Sequence, residues 1–206
     1  PNMLISTPTG VQRDPSFFSK VKDIKALTST EVTSIDRDAK KVKARNLETG
    51  EEFEQAYDKL FIATGASAIV PNLPGKDLKG VTTLQSMEDA MYLKDRLKEG
   101  DIKKAVIVGG GLIGIETAEA LELGGVSITV VEMLDQLITG ADPDVVKPLR
   151  KRIEKRYEAV HLEAKVEEIR AEDDGIVAVF GGSEETFDRV LVAVGRRPNG
   201  GAIGAD

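Results

Sequence analysis

From residue 24 onward, apolar and polar positions alternate in three short stretches, 31–36, 41–47 and 51–56. A polar turn at 37–40 and Glu48-Thr49-Gly50 separate them. Successive strand side chains point to opposite faces, so this pattern predicts three antiparallel strands with one covered side. After Lys59 the run Leu60-Phe61-Ile62-Ala63-Thr64-Gly65 is nearly all apolar and closes on glycine, which predicts a strand buried on both faces. The first twenty residues hold no period, and Pro8, Gly10 and Pro15 interrupt them, so an irregular segment is expected there.

Residues 71–80 read as a linker, with Pro71, Pro74, Gly75 and Gly80. The period then changes. Met87, Ala90, Met91, Leu93 and Leu97 form an apolar stripe behind Ser86 as N-cap and Asp89 three residues on, and Gly100 closes the helix. A strand at 105–108, a helix at 112–123 and a strand at 127–131 follow. A third helix is expected over 143–157, with Asp142 as cap and Pro143 at its first position. Pro148 predicts a kink or restart inside it. Helices alternating with apolar strands imply an α/β layer around a parallel sheet.

The closing segment returns to strands, at 166–170, 176–180 and 184–187, with Asp173-Asp174-Gly175 and Gly181-Gly182 as turns. These form a β-meander before Asp188-Arg189-Val190-Leu191-Val192-Ala193-Val194-Gly195. That octet matches residues 58–65 in kind, 130 positions earlier, and 166–169 matches 32–35 at an offset of 134. The chain thus repeats a plan. In the second copy Gly109 precedes Asp188 by 79 residues, which would place the glycine turn of a matching first copy about twenty residues before Pro1. The expectation is a first half that lacks its beginning.

Chemistry concentrates at Val106-Ile107-Val108-Gly109-Gly110-Gly111-Leu112-Ile113-Gly114-Ile115-Glu116, a strand, a glycine turn and a helix start that fit G-x-G-x-x-G. Gly109 permits the tight turn, Gly111 lets a diphosphate approach the backbone, and Gly114 lets helix and strand pack closely. The unpaired N–H groups at the helix start, from Leu112 and Ile113, would point at the phosphates. Glu132 ends the next strand, 23 residues after Gly109, where an acid is expected to take the adenosine ribose hydroxyls. A carboxylate there disfavours a 2′-phosphate, and Met133, Leu134, Asp135 and Gln136 supply no cation, so NAD(H) is preferred to NADP(H).

Composition removes other classes. Trp is absent and aromatics make up 4%, so the core is aliphatic. A net charge of −7 without a basic cluster argues against nucleic acid. No apolar run reaches the roughly 18 residues of a membrane span, and no signal peptide opens the chain, so a cytoplasmic setting is expected. Zero cysteines and one histidine, His161, leave no thiol chemistry and no metal-ligand set. His161 reads as a surface strand residue, and Arg196 and Arg197 as residues that touch phosphate or pair with acids at a domain junction, the junction being favoured. No catalytic residue is expected.

Residues 57–65 ending in Ala-Thr-Gly, the 109–116 turn, Glu132 and the Gly-Arg-Arg-Pro-Asn that closes 188–199 together resemble the FAD-dependent pyridine nucleotide-disulfide oxidoreductases, which include dihydrolipoamide dehydrogenase, coenzyme A disulfide reductase and NADH oxidase types. The resemblance implies a Rossmann-like NAD-binding domain with parallel sheet and β-meander at 71–196. It also implies the end of a first FAD-domain segment, mostly antiparallel, at 1–70, and the start of the return to that domain at 197–206. On this resemblance Gly109, Gly110, Gly111, Leu112, Ile113, Gly114, Glu116, Glu132, Val166 and Gly195 hold NAD(H), with Glu116 near the nicotinamide. Ala63, Thr64 and Gly65 pass the adenosine half of the flavin in the full-length protein. It implies hydride transfer from NADH to FAD and on to a disulfide or other acceptor, a homodimer at full length, and a fragment that binds NAD(H) as a monomer or weak dimer without turnover. The alternative is a stand-alone noncatalytic NAD(H)-binding or redox-sensing module; a self-sufficient dehydrogenase is disfavoured, because only Glu116 could serve as its acid or base.

Overall fold

A computed structural model describes residues 6–203. The chain divides into two compact units, one formed by residues up to Ala63 together with those from Gly200, the other by Thr64–Asn199. Among the described residues no helix is long and apolar enough to cross a membrane.

In the first unit, α1 (Pro15–Lys22) precedes β1 (Thr30–Asp36), β2 (Lys41–Asn46) and β3 (Glu52–Ala56), an antiparallel sheet in the order β1-β2-β3. Three alternating strands were expected here, and they form. Helix α1 was not expected. Its start is local chemistry: Asp14 Oδ1 accepts the Phe17 N–H at 2.7 Å, and Pro15 takes the first helical position, where a missing N–H costs nothing. Pro15, read as a breaker, is instead a starter.

The run at 60–65 corrects a second expectation. It forms no strand and lies open, with Phe61 90% exposed. Its counterpart, β12 (Arg189–Val192), is buried because it lies between β5 (Val81–Thr82) and β6 (Lys104–Val108). No described strand flanks residues 60–65. Burial of an apolar run is supplied by its neighbours, not by its own composition.

The second unit opens with β4 (Ala66–Ala68), which pairs antiparallel with β13 (Arg196–Pro198). Its centre is a five-stranded parallel sheet, β5-β12-β6-β7-β8, where β7 is Ser127–Val131 and β8 is Ala159–His161. Helices α2 (Met87–Glu99), α3 (Leu112–Leu123) and α4 (Pro143–Ile153) supply one side. The antiparallel meander β9 (Val166–Glu172), β10 (Gly175–Phe180) and β11 (Ser183–Phe187) supplies the other. Strand alternation sorts the core accordingly: Ala105 and Ile107 of β6 pack with Leu93, Ile115 and Leu121, whereas Val106 and Val108 pack with Ile169, Phe180 and Phe187.

The capping box predicted for α2 is present in both directions between Ser86 and Asp89, and Gly100 closes the helix with φ +75°. Asp142 stands at the N-cap of α4 but makes no side-chain cap bond. Pro148 interrupts nothing: α4 runs through it as one helix and stops at Ile153, short of the expected 157. Pro148 removes a single bond, the one that would reach the Asp144 carbonyl, and the flanking turns persist.

Candidate functional site

The glycine turn lies where β6 passes into α3, at the carboxyl end of the central strand of the sheet. Open α/β sheets leave a crevice at this edge. Gly109 has φ +108°, and a Cβ there would lie 2.5 Å from the Ala193 carbonyl oxygen, so both conformation and space demand glycine. A Cβ at Gly114 would lie 2.2 Å from the Gly109 carbonyl oxygen and 3.2 Å from Ile107, so its absence lets α3 seat on β6. Gly111 is different. Its φ is −75°, and a Cβ would meet nothing within 4 Å. Neither conformation nor packing demands glycine there.

Gly111 is the N-cap of α3 and no side chain caps that end. The first amides of the helix are therefore unsatisfied from within, and the positive end of the helix dipole faces the opening. The opening is a cleft of about 670 Å³ lined by Gly111, Leu112, Ile113, Glu132, Ile138, Thr139, Gly195 and Arg196, among others.

Glu132 stands just past β7. One of its carboxylate oxygens, Oε2, accepts the Gly110 N–H at 2.6 Å and the other, Oε1, accepts the Leu134 N–H at 2.9 Å. Glu132 also lines a second cleft, of about 360 Å³, with Leu73, Met133, Leu134, Val166 and Val194. A third, of about 520 Å³, lies between α2 and α3 and contains Leu93, Leu97, Ile113, Glu116 and Arg196.

The clefts sort the expected site residues. Gly111, Leu112, Ile113, Glu132 and Gly195 share the first. Gly109 and Val166 line the second, joined to the first through Glu132. Glu116 lies in the third, joined to the first through Ile113 and Arg196. Gly110 and Gly114 line none of the three. Ala63, Thr64 and Gly65 line none of these clefts. The Thr64 and Gly65 carbonyls accept bonds from the Asn199 side chain and backbone, at 2.9 and 3.0 Å.

Three contributors go beyond the sequence reading, which had Arg196 only as a phosphate or junction residue and did not single out Asn199 or residues 134–141. Asn199 closes the Gly-Arg-Arg-Pro-Asn motif and fastens it to the segment 64–67, its Oδ1 taking the Ser67 hydroxyl at 2.8 Å. Arg196 donates to the Ala66 carbonyl at 2.6 Å and lines two clefts. Residues 134–141, between β7 and α4, form one wall of the first cleft. The motif itself was the available signal for the first two. The third carries no motif.

The model of a family described as pyridine nucleotide-disulphide oxidoreductase matches residues 3–204. The chain belongs to this family. It is 34% identical over 190 residues to an NADH oxidase of Methanocaldococcus jannaschii, a match covering 92% of this chain and 42% of that protein. It is 38% identical over 154 residues to a dihydrolipoyl dehydrogenase of Haemophilus influenzae, covering 72% of this chain and 30% of the relative. Among solved structures, an NAD-dependent persulfide reductase from A. fulgidus superposes with a TM-score of 0.86 at 37% identity, covering 98% of this chain and 38% of that one. The chain thus spans less than half the length of these relatives. Their fold, an α/β arrangement with a five-stranded parallel sheet and antiparallel sheets, is the one seen here.

Proposed function

We propose that residues 64–199 bind NAD(H) and form the reductant-holding part of a flavin-dependent oxidoreductase, which passes hydride from NADH to FAD and on to a disulfide or other acceptor. One observation carries this reading: the backbone at Gly111 is open where the uncapped end of α3 meets the largest cleft at the glycine turn, and a carboxylate stands at the rim of that cleft.

A diphosphate at this position would be held by the Leu112, Ile113 and Gly114 amides and by the helix dipole. Glu132 accepts two backbone N–H groups and retains lone pairs for the ribose hydroxyls. The apolar cleft around Val166 suits the adenine. Gly195, Ile113 and Glu116 then lie toward the nicotinamide end. When bound, NADH supplies a hydride; the residues described here fix its position. A 2′-phosphate would set like charge against Glu132, so NADH is the favoured form. Two relatives are named for NADH or NAD, which supports the same choice. The 206-residue chain contains no cysteine to carry electrons to a disulfide, and it is expected to bind without turnover.

Titration of the chain with NADH and NADPH, by fluorescence or calorimetry, tests the reading. NADH should bind tighter by about 1–3 kcal/mol, on the order of five- to 150-fold. Glu132→Ala should weaken NADH without unfolding the chain, and Gly111→Val should abolish binding. Equal affinity for the two nucleotides removes the case for Glu132 as the discriminating residue.

A further inference from the structure

Gly110 is the one member of the glycine turn whose N–H and C=O are both taken by the connection that follows β7. Its N–H is donated to Glu132 Oε2 at 2.6 Å, and its carbonyl accepts the Ile138 N–H at 2.9 Å. The Leu137 side chain is fully buried against the same residue, where an added Cβ at Gly110 would lie 2.4 Å from Leu137 Cδ2. Ile138 reaches its bond with φ +48°, a left-handed conformation that a β-branched residue rarely holds. Strain of this kind persists only where surrounding contacts over-determine it.

From these contacts we infer that Glu132 is a positioning residue for the diphosphate cradle, in addition to any contact it makes with ribose. This inference rests on the NAD(H) reading above. The Gly110 N–H belongs to the 109–110 peptide plane and its carbonyl to the 110–111 plane, so Glu132 and Ile138 hold the two planes on either side of the Gly110 Cα. Since Gly110 directly precedes Gly111, the two held planes together fix the direction from which α3 begins and hence where its free amides point. The Gly110 N–H, committed to Glu132, is not a phosphate donor; its role is to transmit the carboxylate's hold to the turn. The two functions are compatible because an ionised carboxylate offers about four acceptor sites, and two are used here.

The two roles separate with a ligand that has no hydroxyls for Glu132 to read, the 2′,3′-dideoxyadenosine analogue of NAD. If Glu132 served ribose alone, Glu132→Ala would leave affinity for this analogue unchanged. The clasp predicts a loss of about tenfold, the worth of one hydrogen bond to a charged acceptor. Glu132→Gln, which keeps an oxygen for the Gly110 N–H, should recover most of it. Amide hydrogen exchange in the ligand-free 206-residue chain gives an independent readout: Glu132→Ala should accelerate exchange at Gly110 by about tenfold or more while β6 amides stay protected. Unchanged analogue affinity in Glu132→Ala overturns the inference, as does unchanged Gly110 exchange. Failure of the wild-type chain to bind NADH would instead sink the nucleotide reading, and the exchange experiment would still decide whether the clasp exists.

Discussion

A methyl group added at Gly111 and one added at Gly114 would stand three residues apart and meet opposite surroundings. At Gly114 the new carbon would lie 2.2 Å from the Gly109 carbonyl oxygen, and restoring even 3.0 Å requires a shift of about 0.8 Å. Helix α3 cannot move alone, because Ile115, Ala118 and Leu121 on it are packed into the core. Overpacking of this kind costs about 1–3 kcal/mol. An ordinary Gly→Ala change inside a helix gains about 1 kcal/mol instead. The sign of the change therefore decides. Gly114→Ala should lower the guanidinium midpoint and drop Tm by several degrees, roughly 2–4 °C per kcal/mol for a chain of this size. Gly111→Ala meets nothing within 4 Å and needs no unusual φ, so its stability should stay within about 1 kcal/mol of wild type. Its NADH affinity should nevertheless fall by about tenfold or more. Unfolding followed by circular dichroism, with NADH titration of each folded variant, separates the two. A Gly114→Ala protein as stable as wild type would refute the close-packing role. A Gly111→Ala protein that binds NADH normally would refute the open-cradle role.

Phe187 is 1% exposed and Phe61 is 90% exposed, so Phe187→Ala should cost about 3–5 kcal/mol in chemical unfolding, whereas Phe61→Ser should cost less than about 0.5 kcal/mol. Asp188 Oδ2 accepts the Lys103 and Lys104 N–H groups at 2.7 and 2.8 Å, holding the β11–β12 corner to the start of β6; Asp188→Ala should destabilise by about 1.5–3 kcal/mol, and a neutral result in thermal melts would remove it from the framework. Burial pushes the Tyr157 phenol up to about 12, against about 10 in an unfolded chain. The neutral phenol is the form the fold favours, so this contribution is intact below pH 10 and is lost as pH rises from 10 through 12. Tyr157→Phe removes a buried hydroxyl that has no hydrogen-bond partner among the described residues; it should flatten the alkaline decline seen in pH-dependent melts and leave neutral stability unchanged or improved.

Where neighbours in sequence hold the information, the sequence alone determined the outcome. The β1–β3 alternation, the Ser86–Asp89 capping box, the β6–turn–α3 passage and the meander are all set by period, caps and glycine placement, which act within a few residues. The structural jobs of Gly109 and Gly114 were legible for the same reason. Tertiary structure decided what depends on distant partners. The octets at 58–65 and 188–195 have nearly the same composition, yet only the second becomes a strand, because β5 and β6 lie on either side of it. Glu132 was readable as an acid at a strand end; that its carboxylate also grips Gly110, 22 residues away in the chain, was not. Nor was the support from Leu137 and Ile138, since a backbone N–H and a buried leucine leave no signature in the sequence. A hydrogen bond between remote backbone groups is specified by the packing that brings them together, and that packing exists only once the sheet has formed.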